Sequence, residues 1–158
     1  MTLRRSFRAR AQAQGAGSSW VSAQTGANEV ALLRAVAGEH LLFFDMRTVV
    51  SVLRWESSVL GEIDLRAWFG AEGVDRAVRI LVPSSEGPYA LRVCEVVGLE
   101  AVARENVYPL PAPLTSWGAR LHVRGIVREA PALGREAQAL GLLLDPLRLA
   151  RSYVQGVT

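Results

Sequence analysis

The stretch LGEIDLR at residues 60–66 has a counterpart in LLLDPLR at residues 142–148. In each, an apolar run typical of a strand ends at an aspartate, Asp64 or Asp145, whose carboxylate can accept hydrogen bonds from the free N–H groups that begin a helix. Pro146 then stands at the first helical position, where its missing N–H costs nothing. The repetition predicts a duplicated strand plan in which each half ends in a short helix, and hence two related β lobes.

Elsewhere after residue 28, apolar residues form short clusters bounded by turn formers, a pattern typical of strands. The predicted strands are residues 30–36, 41–44, 49–53, 77–82, 89–93, 121–127 and 140–144. The loop PSSEGP at residues 83–88 predicts a hairpin between two of them. Short strands at near-regular spacing indicate an all-β fold with short helices, arranged as a barrel or a sandwich.

The basic charge of the chain is concentrated at its N-terminus. Residues 1–28 carry four arginines and no acidic residue, whereas residues 29–158 carry 14 arginines against 15 acidic residues. Residues 1–28 are rich in Ala, Gln, Gly and Ser, so we expect a disordered, arginine-containing tail before a single folded domain at 29–158. The clustered charges leave one alternative function open, a tail that binds nucleic acid.

The residue types that carry chemistry are sparse. Cys94 is the single cysteine and is expected within an apolar strand, which leaves no disulfide or cysteine metal cluster and fits a reducing, cytoplasmic compartment. His40 and His122 are far apart and are expected on the surface or in turns. No nucleophile motif, phosphate loop or metal-ligand spacing is present, and no apolar run is long enough to span a membrane. The sequence therefore predicts a protein without catalysis, cofactor or metal.

Taken in order, the segments resemble the CheW family, the coupling proteins of bacterial chemosensory arrays. The resemblance is carried by residues 38–41 with 46–54, 61–66 with 69–70, 76–82 with 89–99 and 108–111, and 123–126 with 142–147. It implies two small β-barrel lobes and a non-catalytic adaptor in signal transduction controlling chemotaxis and motility. Its implied partner is the cytoplasmic tip of a methyl-accepting chemoreceptor, and other CheW-like domains are further possible partners.

One departure from the family pattern affects the first lobe. Family members carry a proline-flanked turn and an Asn-x-Arg-Gly signature at a point where residues 54–58 here lead almost directly into residues 59–64. The resemblance then implies an abbreviated first lobe that lacks at least one strand, and Ser51 replaces a usual acidic residue. Because that lobe pairs with the regulatory domain of the CheA-type histidine kinase in the family, kinase coupling is in doubt. The short, divergent form is similar to the FrzB type of the myxobacterial frizzy system.

The resemblance also implies a site, an apolar groove between the lobes that receives the receptor tip. The matching positions are Val49, Val52, Val78 and Leu99. The alternative is that these four residues belong to the cores of the lobes, since alternation along a strand decides which face each occupies. Arg54 and Trp55 are a second candidate partner surface, because arginine and aromatic side chains are enriched at binding hot spots. The alternative for Trp55 is that it caps a core left open by the missing segment.

Overall fold

The computed structural model describes residues 26–53, 59, 61–71, 77–129 and 139–156, and these form mostly β structure with short helices. The helices are α1 (Leu65–Trp68), α2 (Thr115–Leu121) and α3 (Pro146–Gly156). The strands are β1 (Glu29–Ala37), β2 (His40–Asp45), β3 (Ser51–Leu53), β4 (Gly61–Asp64), β5 (Val78–Val82), β6 (Tyr89–Val93), β7 (Glu95–Ala103), β8 (Val107–Pro109), β9 (Val123–Arg128) and β10 (Leu140–Leu144).

The strands form two sheets with a common plan. The six-stranded lobe has the order β7-β1-β2-β10-β9-β8, and the four-stranded lobe has the order β3-β5-β6-β4. In the first, β10 runs parallel to β2 beside the antiparallel strands β1 and β7; in the second, β4 runs parallel to β6 beside the antiparallel strands β5 and β3. The expected duplication is therefore present.

Each of the two repeated stretches supplies a strand that pairs in parallel within its own lobe. Strand β4 lies in the first half of the chain but completes the sheet of β5 and β6, and β10 lies at the end of the chain but pairs with β2. Beyond β10 the six-stranded lobe continues to β9 and β8, whereas the described residues place no strand beside the free edge of β4. Among the described residues, the four-stranded lobe therefore has two strands fewer than the six-stranded lobe.

The strand-to-helix junctions follow the predicted capping. Asp64 Oδ1 accepts a hydrogen bond from the backbone N–H of Arg66 at 3.0 Å, and Asp145 Oδ1 accepts one from Arg148 at 3.2 Å. The sequence analysis missed a third junction of this kind at the end of β2. There Asp45 Oδ1 accepts from the backbone N–H of Arg47 at 3.0 Å and begins a 3₁₀ turn.

Most predicted strands are present, and the differences have local causes. Residue 121 ends α2 rather than beginning a strand, because His122 takes a left-handed conformation with φ of 54° and closes the helix. Strand β7 was missed because glycine and glutamate residues interrupt its apolar pattern, and it contains a bulge opposite Arg34 and Ala35. Cys94 was wrongly expected within a strand: it lies half-buried between β6 and β7, where its Sγ is 3.5 Å from the N–H of Gly38.

Both lobes contribute to one hydrophobic cluster, which we call the shared cluster. Leu33 and Phe44 of the six-stranded lobe, and Ile80 and Leu91 of the four-stranded lobe, are fully buried in it. Helices α1 and α3 add Leu65, Leu149 and Ala150. Because the sheets bury their apolar faces against common residues, the described residues pack as one unit.

A second cluster fills the six-stranded lobe alone. Its fully enclosed members include Phe43 and Val127, and the cluster as a whole has members from all six strands. In a flat sheet of this order β1 and β8 would lie about 19 Å apart, yet Val30 of β1 and Val107 of β8 line one cavity. The sheet is therefore strongly curved around this cluster.

Candidate functional site

The four predicted receptor-binding positions contact the shared cluster. Val49, Val52, Val78 and Leu99 are each partly buried and pack against its fully buried residues. The interpretation as core residues accounts for the packed part of each side chain, and their role in binding a receptor stays a prediction. These side chains lie at the margin of the shared cluster, where one part is packed and another remains accessible.

Strand register explains why three of them face the same cluster. Val52 is the direct partner of Ile80 across β3 and β5, and Val78 precedes Ile80 by two residues on the same face of β5. Leu99 on β7 is the direct partner of Leu33 on β1. Residues of both lobes thus border the surface at which the lobes meet.

Two exposed valines extend this apolar margin along the chain. Val50, between Val49 and β3, is 51% exposed, and its backbone N–H donates to the carbonyl oxygen of Leu81 at 2.8 Å. Val97, in the bulged part of β7 two residues before Leu99, is 44% exposed. Sequence reasoning missed both, because strand alternation alone does not distinguish an exposed valine from a buried one.

The opposite face of the four-stranded lobe carries charge instead. Glu62 on β4 forms ion pairs with Arg79 on β5 at 2.5 Å and with Arg92 on β6 at 3.1 Å. Arg79 and Arg92 are direct partners across the two strands, so the carboxylate offsets their repulsion. The apolar candidate surface of this lobe is therefore confined to the face turned toward the shared cluster.

A serine and a histidine that lie far apart in the sequence also come into contact. Ser152 Oγ on α3 lies 2.9 Å from His122 Nε2, and 3.0 and 3.1 Å from the carbonyl oxygens of Arg148 and Leu149. The hydroxyl has a single hydrogen, which it can donate either to a helix carbonyl or to Nε2, so the donor and acceptor roles in this contact depend on the histidine tautomer. The contact joins α3 to the residue that ends α2.

The remaining chemistry-bearing residues are isolated. His40 is exposed, with its ring centroid 5.0 Å from that of Phe69. Within the described ranges, no group of three or more His, Cys, Asp or Glu side chains could hold a metal ion. No helix in the same ranges is long and apolar enough to cross a bilayer. Arg54 and Trp55, the second candidate surface, lie outside the described residues, as does the tail up to residue 25.

Comparison with known proteins relates the fold to one solved structure in particular. No protein-family model matches the sequence, and no curated protein matches it. The scaffolding protein TtCheW from Thermoanaerobacter tengcongensis has a similar structure, with a TM-score of 0.56 and 16% sequence identity. The match covers 77% of this chain and 92% of that protein. The chain therefore has a CheW-like fold, as the order of its segments predicted.

Proposed function

We propose that this protein is a non-catalytic adaptor of a cytoplasmic bacterial chemosensory array. It binds the cytoplasmic tip of a chemoreceptor through Val49, Val52, Val78 and Leu99. The observation that carries this proposal is the common packing of these four side chains on the shared cluster, at the margin where the two lobes meet. The CheW-like fold supports the same role.

The chemistry of the margin suits a helical partner. These aliphatic side chains are already partly buried and held in place by packing. Little of their conformational entropy is therefore lost when a partner covers them. Each Å² of apolar surface removed from water contributes about 25 cal/mol. A helical hairpin that presents aliphatic side chains would gain affinity here without needing to pair buried charges.

The abbreviated four-stranded lobe argues for weak coupling to the CheA-type histidine kinase. In the six-stranded lobe, β9 and β8 follow β10 in the sheet, whereas the described residues place no corresponding strands beside β4. The resemblance to the CheW family implies that this lobe pairs with the regulatory domain of the kinase. We propose that the protein resembles FrzB of the myxobacterial frizzy system in this respect, and associates with receptors or other CheW-like domains in preference to the kinase.

A Val78→Asp variant is expected to bind a receptor cytoplasmic fragment at least about tenfold more weakly than the wild type, a loss of about 1.4 kcal/mol. A carboxylate at this partly buried position would have to be desolvated against the aliphatic tip. Isothermal titration calorimetry with the purified fragment measures the change, and a parallel titration with the kinase regulatory domain is expected to give little or no binding.

Two further variants separate binding from folding. Val78→Thr keeps the side-chain shape and is expected to show a smaller loss of receptor affinity with little change in melting temperature. Leu140→Asp places the same charge at a residue that is 63% exposed on β10 and is expected to bind the receptor like the wild type. Receptor binding that is absent in the wild type, or unaffected by Val78→Asp in a folded variant, would contradict the proposal.

A further inference from the structure

An open cavity of about 310 Å³ in the six-stranded lobe combines an apolar wall with three arginines. Its apolar lining includes Val30 of β1, Val107 of β8 and Leu143 of β10. The arginines are Arg47, Arg104 and Arg124, which come from three separate parts of the chain. A volume of about 300 Å³ or more, together with a few convergent polar groups, is typical of small-molecule sites.

The charge at this cavity is positive. Arg47 is paired with Asp45, whose Oδ2 lies 2.6 Å from its Nη2. Arg104 and Arg124 also line the cavity, and among the described residues neither lies within ion-pair distance of a carboxylate, so the lining carries three arginines against one aspartate. Asp45 is the single acidic residue of the lining. Its burial opposes ionisation, but the hydrogen bonds from Arg47 outweigh this effect and keep the pKa of Asp45 below its usual value. The positive charge of Arg124 contributes to the same lowering.

The start of α3 adds to this potential. Pro146, the first residue of this 11-residue helix, is part of the lining. The N-terminal end of a helix carries a partial positive charge from its aligned peptide dipoles. Arg104, Arg124 and the start of α3 therefore border a cavity whose lining also includes aliphatic side chains, Asp45 and Thr48.

We infer that this cavity binds a small amphiphilic anion, with its charged oxygens between Arg104 and Arg124 and its apolar part against Val30, Val107 and Leu143. Guanidinium groups donate two parallel hydrogen bonds to carboxylate or phosphate oxygens, which gives both affinity and orientation. The aliphatic wall contributes to the binding affinity only when the ligand carries an apolar group that can pack against it. The inference does not depend on the proposed receptor binding, which uses other residues.

Calorimetric titration of the full chain with phenyl phosphate and with inorganic phosphate tests both parts of the inference. Phenyl phosphate is expected to bind at least about tenfold more tightly than inorganic phosphate, because only its ring can cover the aliphatic wall. Benzyl alcohol, which has the ring without the charge, is expected not to bind. Absence of phenyl phosphate binding to the wild-type protein, or equal affinity for the two phosphates, would overturn the inference.

Charge variants identify the cavity as the site. Arg104→Gln and Arg124→Gln are each expected to lower the affinity for phenyl phosphate about tenfold or more, since each removes a charge-assisted hydrogen bond. Asp45→Asn is expected to raise it, because the competing carboxylate is neutralised. Arg120→Gln removes an exposed arginine outside the lining and is the matched control. Wild-type affinity in the Arg104→Gln, Arg124→Gln double variant would refute the assignment.

Discussion

Replacing Phe44 by alanine is expected to lower the free energy of unfolding by about 3–5 kcal/mol. Phe44 is fully buried in the shared cluster, so truncation removes contacts with residues of both sheets and leaves a cavity that the two sheets cannot close independently. Urea denaturation followed by circular dichroism measures the change. Leu140→Ala, at a side chain that is 63% exposed, is the control and is expected to change stability by no more than about 0.5 kcal/mol.

The same variant tests whether the lobes are one folding unit. Because Phe44 belongs to the six-stranded lobe but packs in a cluster with Ile80 and Leu91, its loss is expected to weaken both sheets equally. Amide hydrogen exchange should then report the same reduction in opening free energy for β1 and β2 as for β5 and β6. Faster exchange confined to the six-stranded lobe, or two separate unfolding transitions, would contradict a shared core.

The sequence predicted those parts of the fold that depend on local physics. Asp64 and Asp145 cap helices because a carboxylate directly after a strand can reach the first free N–H groups, and that rule needs only neighbours in the chain. The hairpin at residues 83–88 is local in the same sense, and β5 and β6 pair across it. The strand partners of β4 and β10 are not local. Both pair in parallel with strands far away in sequence, and the apolar pattern alone does not specify which ones.

Strands β7 and β8 show a second limit of predicting the fold from the sequence. Pro109, the last residue of β8, is of a type that disfavours strands, but it lies on a strand at the edge of the described sheet, where a missing N–H is tolerated. β8 can approach β9 closely because Gly125 has no side chain: a Cβ there would lie 2.4 Å from the carbonyl oxygen of Tyr108. Such contacts depend on two segments at once and are invisible in either alone.

The two candidate sites also differ in how far they could be predicted from the sequence. Val49, Val52, Val78 and Leu99 were identified through a family resemblance, and the structure accounts for their packing but does not test their partner. The cavity arginines were not predicted. Arg124 alternates with buried residues on β9, a pattern typical of a solvated side chain, while Arg47 and Arg104 follow different strands. Only the curvature of the six-stranded sheet brings the three to one cavity.

The pair formed by Asp64 and Arg66 is expected to have a larger effect on stability than the similar pair formed by Asp45 and Arg47. In both, the aspartate accepts hydrogen bonds from the backbone and the guanidinium of an arginine two residues later. The arginines differ: the Arg66 side chain is 9% exposed and that of Arg47 is 74% exposed. Removing the carboxylate therefore leaves a buried cation in one case and a solvated one in the other.

Asp64→Asn is expected to lower the free energy of unfolding at pH 7 by about 1–3 kcal/mol, because Arg66 loses a charged hydrogen-bond partner while the amide oxygen can still cap α1. Asp45→Asn, the matched control, is expected to cost less than about 1 kcal/mol. Asp64→Ala removes the cap as well and should add about 1 kcal/mol to the loss. Urea unfolding of the three variants at pH 7 gives these differences directly.

The pH dependence distinguishes the ion pair from a purely steric effect. The side-chain hydrogen bond from Arg66 lowers the pKa of Asp64 below its usual value, despite partial burial that opposes ionisation. A carboxyl group whose pKa is lower in the folded state stabilises the protein above its unfolded pKa of about 3.9, and this contribution is lost as the pH falls through the folded pKa. The stability difference between the wild type and Asp64→Asn should therefore be largest near neutral pH and shrink below about pH 4. A difference that stays constant down to pH 2 would show that packing, and not the charge of Asp64, supports Arg66.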